Sequence, residues 1–107
     1  MKFITIEGEG AIGTSREPSL AVAQCIAAAA AGETAALYDL GVIYSTGGHD
    51  TPCDLVEAHK WFNLAASKGH EEAGWCRADI SEEMTAREIA EAQRQAREWL
   101  AAERRAA

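Results

Sequence analysis

The sequence predicts an all-α fold in which short antiparallel helix pairs stack on one another, as an α-α superhelix, and a last helix covers the end. Three observations carry that expectation. Between Ala35 and Ala73, alanine, glycine and aromatic residues recur at helical spacing along two successive segments. Glycines at 32, 47, 48 and 69 divide the chain into helix-length pieces. The sequence also matches itself at a shift of 37 residues: AAxxGxxxA occurs as Ala28-Ala29, Gly32, Ala36 and again as Ala65-Ala66, Gly69, Ala73. The same shift lays Glu17 on Asp54, Ala21 on Ala58 and Tyr38 on Trp75, whereas Trp61 falls on Gln24, Leu40 on Arg77 and Tyr44 on Ser81.

Residues 1–16 hold three glycines and one run of β-formers, Lys2-Phe3-Ile4-Thr5-Ile6. A lone strand leaves its backbone groups unpaired, so this stretch is read as a flexible tail or as a strand that pairs with another chain or its own copy. The helical domain follows over 17–107. Its first helix is expected to start near Pro18, after Arg16 or Glu17, because the fixed φ and missing N–H of proline suit the first helical position, and to stop at Gly32. The second runs from about Glu33 to Thr46 with Ala36, Leu37, Leu40, Gly41 and Tyr44 on one face. Gly41 within it costs roughly 1 kcal/mol relative to alanine, which points to a close helix contact there.

Gly47 to Cys53 reads as a loop, with Asp54 as an N-cap and Glu57 three residues on. The third helix spans about Asp54 to Lys68, its stripe being Leu55, Ala58, Trp61, Phe62 and Ala65 and its terminator Gly69. The fourth, about Glu71 to Glu83, carries Ala73, Trp75, Cys76 and Ile80. Thr85 and Glu88 form a capping box that opens a fifth helix to about Arg104. Its stripe is Ile89, Ala92 or Gln93, Ala96, Trp99 and Leu100, with Arg87/Glu91 and Arg94/Glu98 paired on the wet face. The domain thus divides into a partial repeat (17–32), a full repeat (33–69) and a degenerate repeat with its capping helix (70–107).

At 107 residues and 48% apolar composition this is one small domain, and its many alanines predict a thin core. The net charge is −7, with 5 Lys/Arg against 11 Asp/Glu over residues 1–80. No basic face is available for phosphates, so neither nucleic acid nor an anionic membrane is an expected partner. The N-terminus lacks the apolar core of a secretory signal, and no stretch reaches a spanning length. Cys25, Cys53 and Cys76 are an odd set without CxxC, which fits reduced thiols. A cytoplasmic location is therefore expected.

Chemistry-bearing clusters are sparse. His49, Cys53 and His59 lie near one another in sequence, with His70 and Cys76 further on, but no spacing of zinc ligands emerges, so neither metal nor cofactor is expected. His70-Glu71-Glu72-Ala73-Gly74 lacks the second histidine of HExxH, and no phosphate-cradling loop or serine elbow is present. Cys53 beside His49 has acidic neighbours that would raise rather than lower a thiol pKa. The expectation is a protein that binds rather than catalyses.

Leu40-Gly41, Tyr44, Gly47, Asp54, Ala58, Trp61, Ala65-Ala66, Gly69 and Ala73 together resemble the Sel-one-like repeat, a relative of the tetratricopeptide repeat. Asp54 to Ala66 followed by Met84 to Trp99 is similar to an alphaproteobacterial-type subgroup. The chain departs from the family where His49 and Asp50 replace the last two residues of a glycine-x-glycine-valine loop, and where Gln24 and Arg77-Ala78 stand in the flanking repeats. The disulfides of cysteine-rich members do not carry over, since Cys53 precedes a helix and has no evident mate. What the resemblance implies is a bacterial adaptor that binds protein. If first helices line the concave side, as in the related repeats, Tyr38, Val42, Trp75 and Asp79 form a row along the groove. A homodimer is the alternative, with Phe3, Ile4 and Ile6 pairing between copies and Trp99 or Leu100 covering an exposed end.

Overall fold

The computed structural model describes residues 19–106. The readings of the 1–16 tail and of Pro18 fall outside that range. Five helices follow in order: α1 (Leu20–Ala30), α2 (Thr34–Thr46), α3 (Leu55–Ser67), α4 (Glu71–Ser81) and α5 (Ala86–Ala106), with no strand among the described residues.

Helix α1 starts later than the proline rule suggests, because Ser19 is its N-cap and accepts the Val22 N–H on its hydroxyl at 3.2 Å. The serine oxygen takes one of the orphan donors of the first turn, which sets the boundary.

The turns α1–α2 and α3–α4 are the same turn. Gly32 has φ 97° and Gly69 φ 99°. Glu33 donates to the Ala28 carbonyl at 3.1 Å as His70 does to Ala65 at 3.1 Å, and Gly32 donates to Ala29 at 3.0 Å as Gly69 does to Ala66 at 3.0 Å. Every partner is displaced by 37 residues, so the repeat found in the sequence is also a repeat of backbone hydrogen bonding. The left-handed glycine lets the chain double back while the last carbonyls of the helix stay satisfied.

The connection α2–α3 is built differently. Gly47 is left-handed at φ 78°, and His49 and Asp50 follow at φ 55° and 57°. Histidine and aspartate tolerate that region better than most residues, so the departure from the glycine-x-glycine-valine pattern still closes a tight loop. Thr51 folds inward, 8% exposed, with its hydroxyl on the His49 carbonyl at 3.1 Å. Asp54 fastens both sides: its N–H donates to the Tyr44 carbonyl at 2.9 Å and its carboxylate accepts the Glu57 N–H at 3.2 Å. Glu57 does not complete a capping box; its carboxylate accepts from Trp61 Nε1 at 3.1 Å and pairs with Lys60 at 3.0 Å.

Helix α4 ends at Ser81, two residues short of the expected Glu83, where the Ser81 hydroxyl bonds the Arg77 carbonyl at 2.7 Å. The Thr85/Glu88 box forms in both directions, at 2.8 and 3.1 Å, and opens α5. On the wet face of α5, Glu91 bonds Arg94 and Gln95 rather than pairing with Arg87 as expected, and Arg94 also reaches Glu98. Hydrogen bonds from Arg94 first and Gln95 second hold the Glu91 carboxyl down to about 2.

Helix α3 is the hub, packing on α2, α4 and α5, while α1 packs on α2. Helix α5 lies along α3 rather than returning along α4. Among the described residues half of the fourteen buried apolar ones are alanines, so the helices can approach closely, and the volume is filled by Val22, Leu37, Leu40, Trp61, Phe62 and Leu64. At Gly41 the approach is closest: a Cβ there would stand 2.5 Å from Cε1 of Phe62. Trp61 is 3% exposed and meets Trp99 edge-on, centroids 4.9 Å apart. Tyr44 and Leu55, expected in the stripes, are only half-buried, whereas Ile43, His59 and Leu64 are buried.

Candidate protein-binding surface

Helices α2 and α4 lie next to each other and carry the four residues expected to line a groove. Their exposures differ sharply. Trp75 is 68% exposed and Asp79, one turn on, is exposed as well. Tyr38 and Val42 are half-buried. Equivalent in spacing, Tyr38 and Trp75 are not equivalent in surroundings.

The reason is His70. Its imidazole stacks on the Tyr38 ring at 4.4 Å and 13°, while Nδ1 accepts the Ala73 N–H at 3.1 Å and so caps α4. Tyr38 also leans on Phe62, centroids 5.7 Å apart. Burial pushes the Tyr38 hydroxyl above its ordinary pKa, and the Cys76 thiol, Glu72 and Asp39 add to the shift. Negative charge from both helices thus reaches one aromatic ring.

The acidic surround was not singled out in the sequence, although the signal is there. Residues 70–83 contain five carboxylates and one guanidinium, Arg77, which donates to Asn63 Oδ1 at 2.6 Å across the α3–α4 contact. His70 carried no capping expectation, because histidine is an uncommon N-cap.

The repeat-motif residues are scaffold. Leu40, Gly41, Ala58, Trp61, Ala65 and Ala73 are buried, Tyr44, Gly47 and Ala66 half-buried, and the exposed Asp54 and Gly69 serve as cap and turn. The potential metal ligands are scattered by role: His49 and Cys53 sit on the exposed loop, His59 is buried in α3 and His70 is the α4 cap. Among the described residues no three or more His, Cys, Asp or Glu side chains gather as ligands would. All three cysteines are free thiols, with Cys53 Sγ 3.5 Å from the Ser45 carbonyl. A hollow of about 250 Å³ lies where Ala30 of α1 meets Trp99, Ala102 and Ala106 of α5, away from Trp75. No helix among the described residues is long and apolar enough to cross a membrane.

Comparison with protein families, curated proteins and solved structures finds no match for the chain.

Proposed function

We propose that the chain is a non-catalytic binding module of the helical-repeat kind, a cytoplasmic adaptor whose α2–α4 face docks a segment of another protein. One observation carries the reading: Trp75 presents most of its indole to solvent from the middle of a helix. Tryptophan is among the residues most enriched at the energetic centres of protein interfaces. Asp79 extends the contact along α4, and the half-buried Tyr38 and Val42 form its floor on α2. The 37-residue repetition of the turns supports a stacked-pair scaffold, with α5 as its cover.

A homodimer built on Trp99 or Leu100 has less behind it, since both residues already pack against the protein's own core. Trp75→Ala is expected to keep its far-ultraviolet circular dichroism and to lose partners recovered from the native host. Equal recovery by the folded variant would overturn the reading.

A further inference from the structure

We infer that the segment docked on this face is basic, and that its anchor is an arginine whose guanidinium lies flat on the Trp75 indole among the carboxylates of Glu71, Glu72 and Asp79. The inference rests on the proposed docking role of the α2–α4 face and gives the partner its chemistry. Helical spacing places Glu71 and Glu72 one turn before Trp75 and Asp79 one turn after it, on the same side of α4. All three are exposed, and none forms an ion pair among the described residues. The helix's own cation is turned away, for Arg77 is held by Asn63 at 2.6 Å. From α2, the exposed Asp39 adds a further carboxylate, and it acts with Glu72 on the Tyr38 hydroxyl.

An acidic segment approaching Trp75 would meet like charge, and a neutral one would leave the carboxylates without partners. A cation satisfies both features at once, because an indole face attracts positive charge and the carboxylates accept its N–H groups. Arginine fits better than lysine, since a planar guanidinium can stack and still donate sideways within its plane. The hollow beside Ala30 has no comparable arrangement of charge; its lining is alanine and Trp99 with Glu103, already paired to Lys68 at 3.4 Å.

The test is a calorimetric titration of the full chain with a blocked, amidated peptide of alternating arginine and alanine. Lysine–alanine, glutamate–alanine and uncharged leucine–glutamine peptides run beside it. The arginine peptide is expected to bind saturably and to weaken about tenfold when salt rises from about 50 mM to about 500 mM. Lysine should bind about threefold more weakly and the glutamate peptide not at all. Trp75→Ala should cost about tenfold, Glu72→Gln and Asp79→Asn about threefold each, and Glu98→Gln on α5 nothing. Circular dichroism checks that each variant is folded. Binding of the uncharged peptide through Trp75, indifferent to salt and to the carboxamide variants, would overturn the basic partner and leave the docking face standing. Undiminished arginine-peptide binding by Trp75→Ala, or no binding of any peptide, would overturn both.

Discussion

Two helical glycines, Gly41 and Gly74, are expected to answer the same substitution with opposite signs. Replacing a helix-interior glycine with alanine gains roughly 0.8–1.0 kcal/mol from backbone entropy wherever the methyl fits. At Gly74 the new Cβ would stand 3.8 Å from the Ala66 Cβ, an ordinary contact, so Gly74→Ala is expected to stabilise by up to about 1 kcal/mol. At Gly41 the same atom would stand 2.5 Å from Cε1 and 2.8 Å from Cγ of Phe62. That ring is 2% exposed and is flanked by Tyr38 at 5.7 Å, so it has little room to swing aside. Overpacking a core of this kind costs about 1–3 kcal/mol. Several ring atoms are involved, which puts the cost near the top of that span. Subtracting the entropy gain leaves Gly41→Ala destabilised by about 1–2 kcal/mol, or roughly 5–15 °C in Tm for a domain this small. Thermal and urea unfolding followed by circular dichroism measure both. A Gly41→Ala variant as stable as the parent would show that the α2–α3 contact is looser than the close approach of Gly41 to Phe62 implies. Destabilised Gly74→Ala would show that α4 packs against α3 differently.

Further expectations concern His59 and the repeated turn. His59 is 3% exposed, its Nδ1 has no hydrogen-bond partner among the described residues, and burial, followed by the charge of Arg77, holds its pKa below the ordinary value of 6.5. The folded protein therefore keeps it neutral while the unfolded chain takes up a proton. Stability from this group is complete above about pH 6.5 and is lost as pH falls below it, by at most about 1.4 kcal/mol per pH unit until the folded pKa is reached. Urea midpoints of the parent and of His59→Leu, compared at neutral and mildly acid pH, should diverge in that window; parallel curves would refute the assignment. Gly32→Ala and Gly69→Ala should each cost about 1–2 kcal/mol, because both adopt positive φ with open space around the missing Cβ, and the two costs should be alike. Unequal losses in chemical denaturation would mean that the two turns are not energetic equivalents.

Much of the fold was legible because alanine, glycine and capping residues act locally. The 37-residue match anticipated the α3–α4 turn from the α1–α2 turn, since a left-handed glycine after the last helical turn fixes the same hydrogen bonds wherever it occurs. Asp54 and the Thr85/Glu88 box were readable for the same reason. Gly41 signalled a close approach, but Phe62 as the opposing surface depends on how α2 lies on α3, which spacing alone leaves open. The candidate site was half legible. Periodicity paired Tyr38 with Trp75, yet exposure is decided by which neighbour stacks on each ring, and the His70 imbalance is a tertiary fact. Nor could the sequence tell that Arg77 spends its charge on Asn63, which leaves the outer side of α4 acidic.

Because α5 lies along α3, the fourth helix rests on α3 with only a lighter contact to α2: Ala73 is its sole buried apolar residue, and Cys76 and Ile80 rest partly against the core. The Phe62–Trp61–Trp99 interior is supplied by α3 and α5, and α4 adds little to it. The element that displays the indole is thus the one that lends fewest side chains to the interior, so substitutions along its outer side reach the partner surface without hollowing the core.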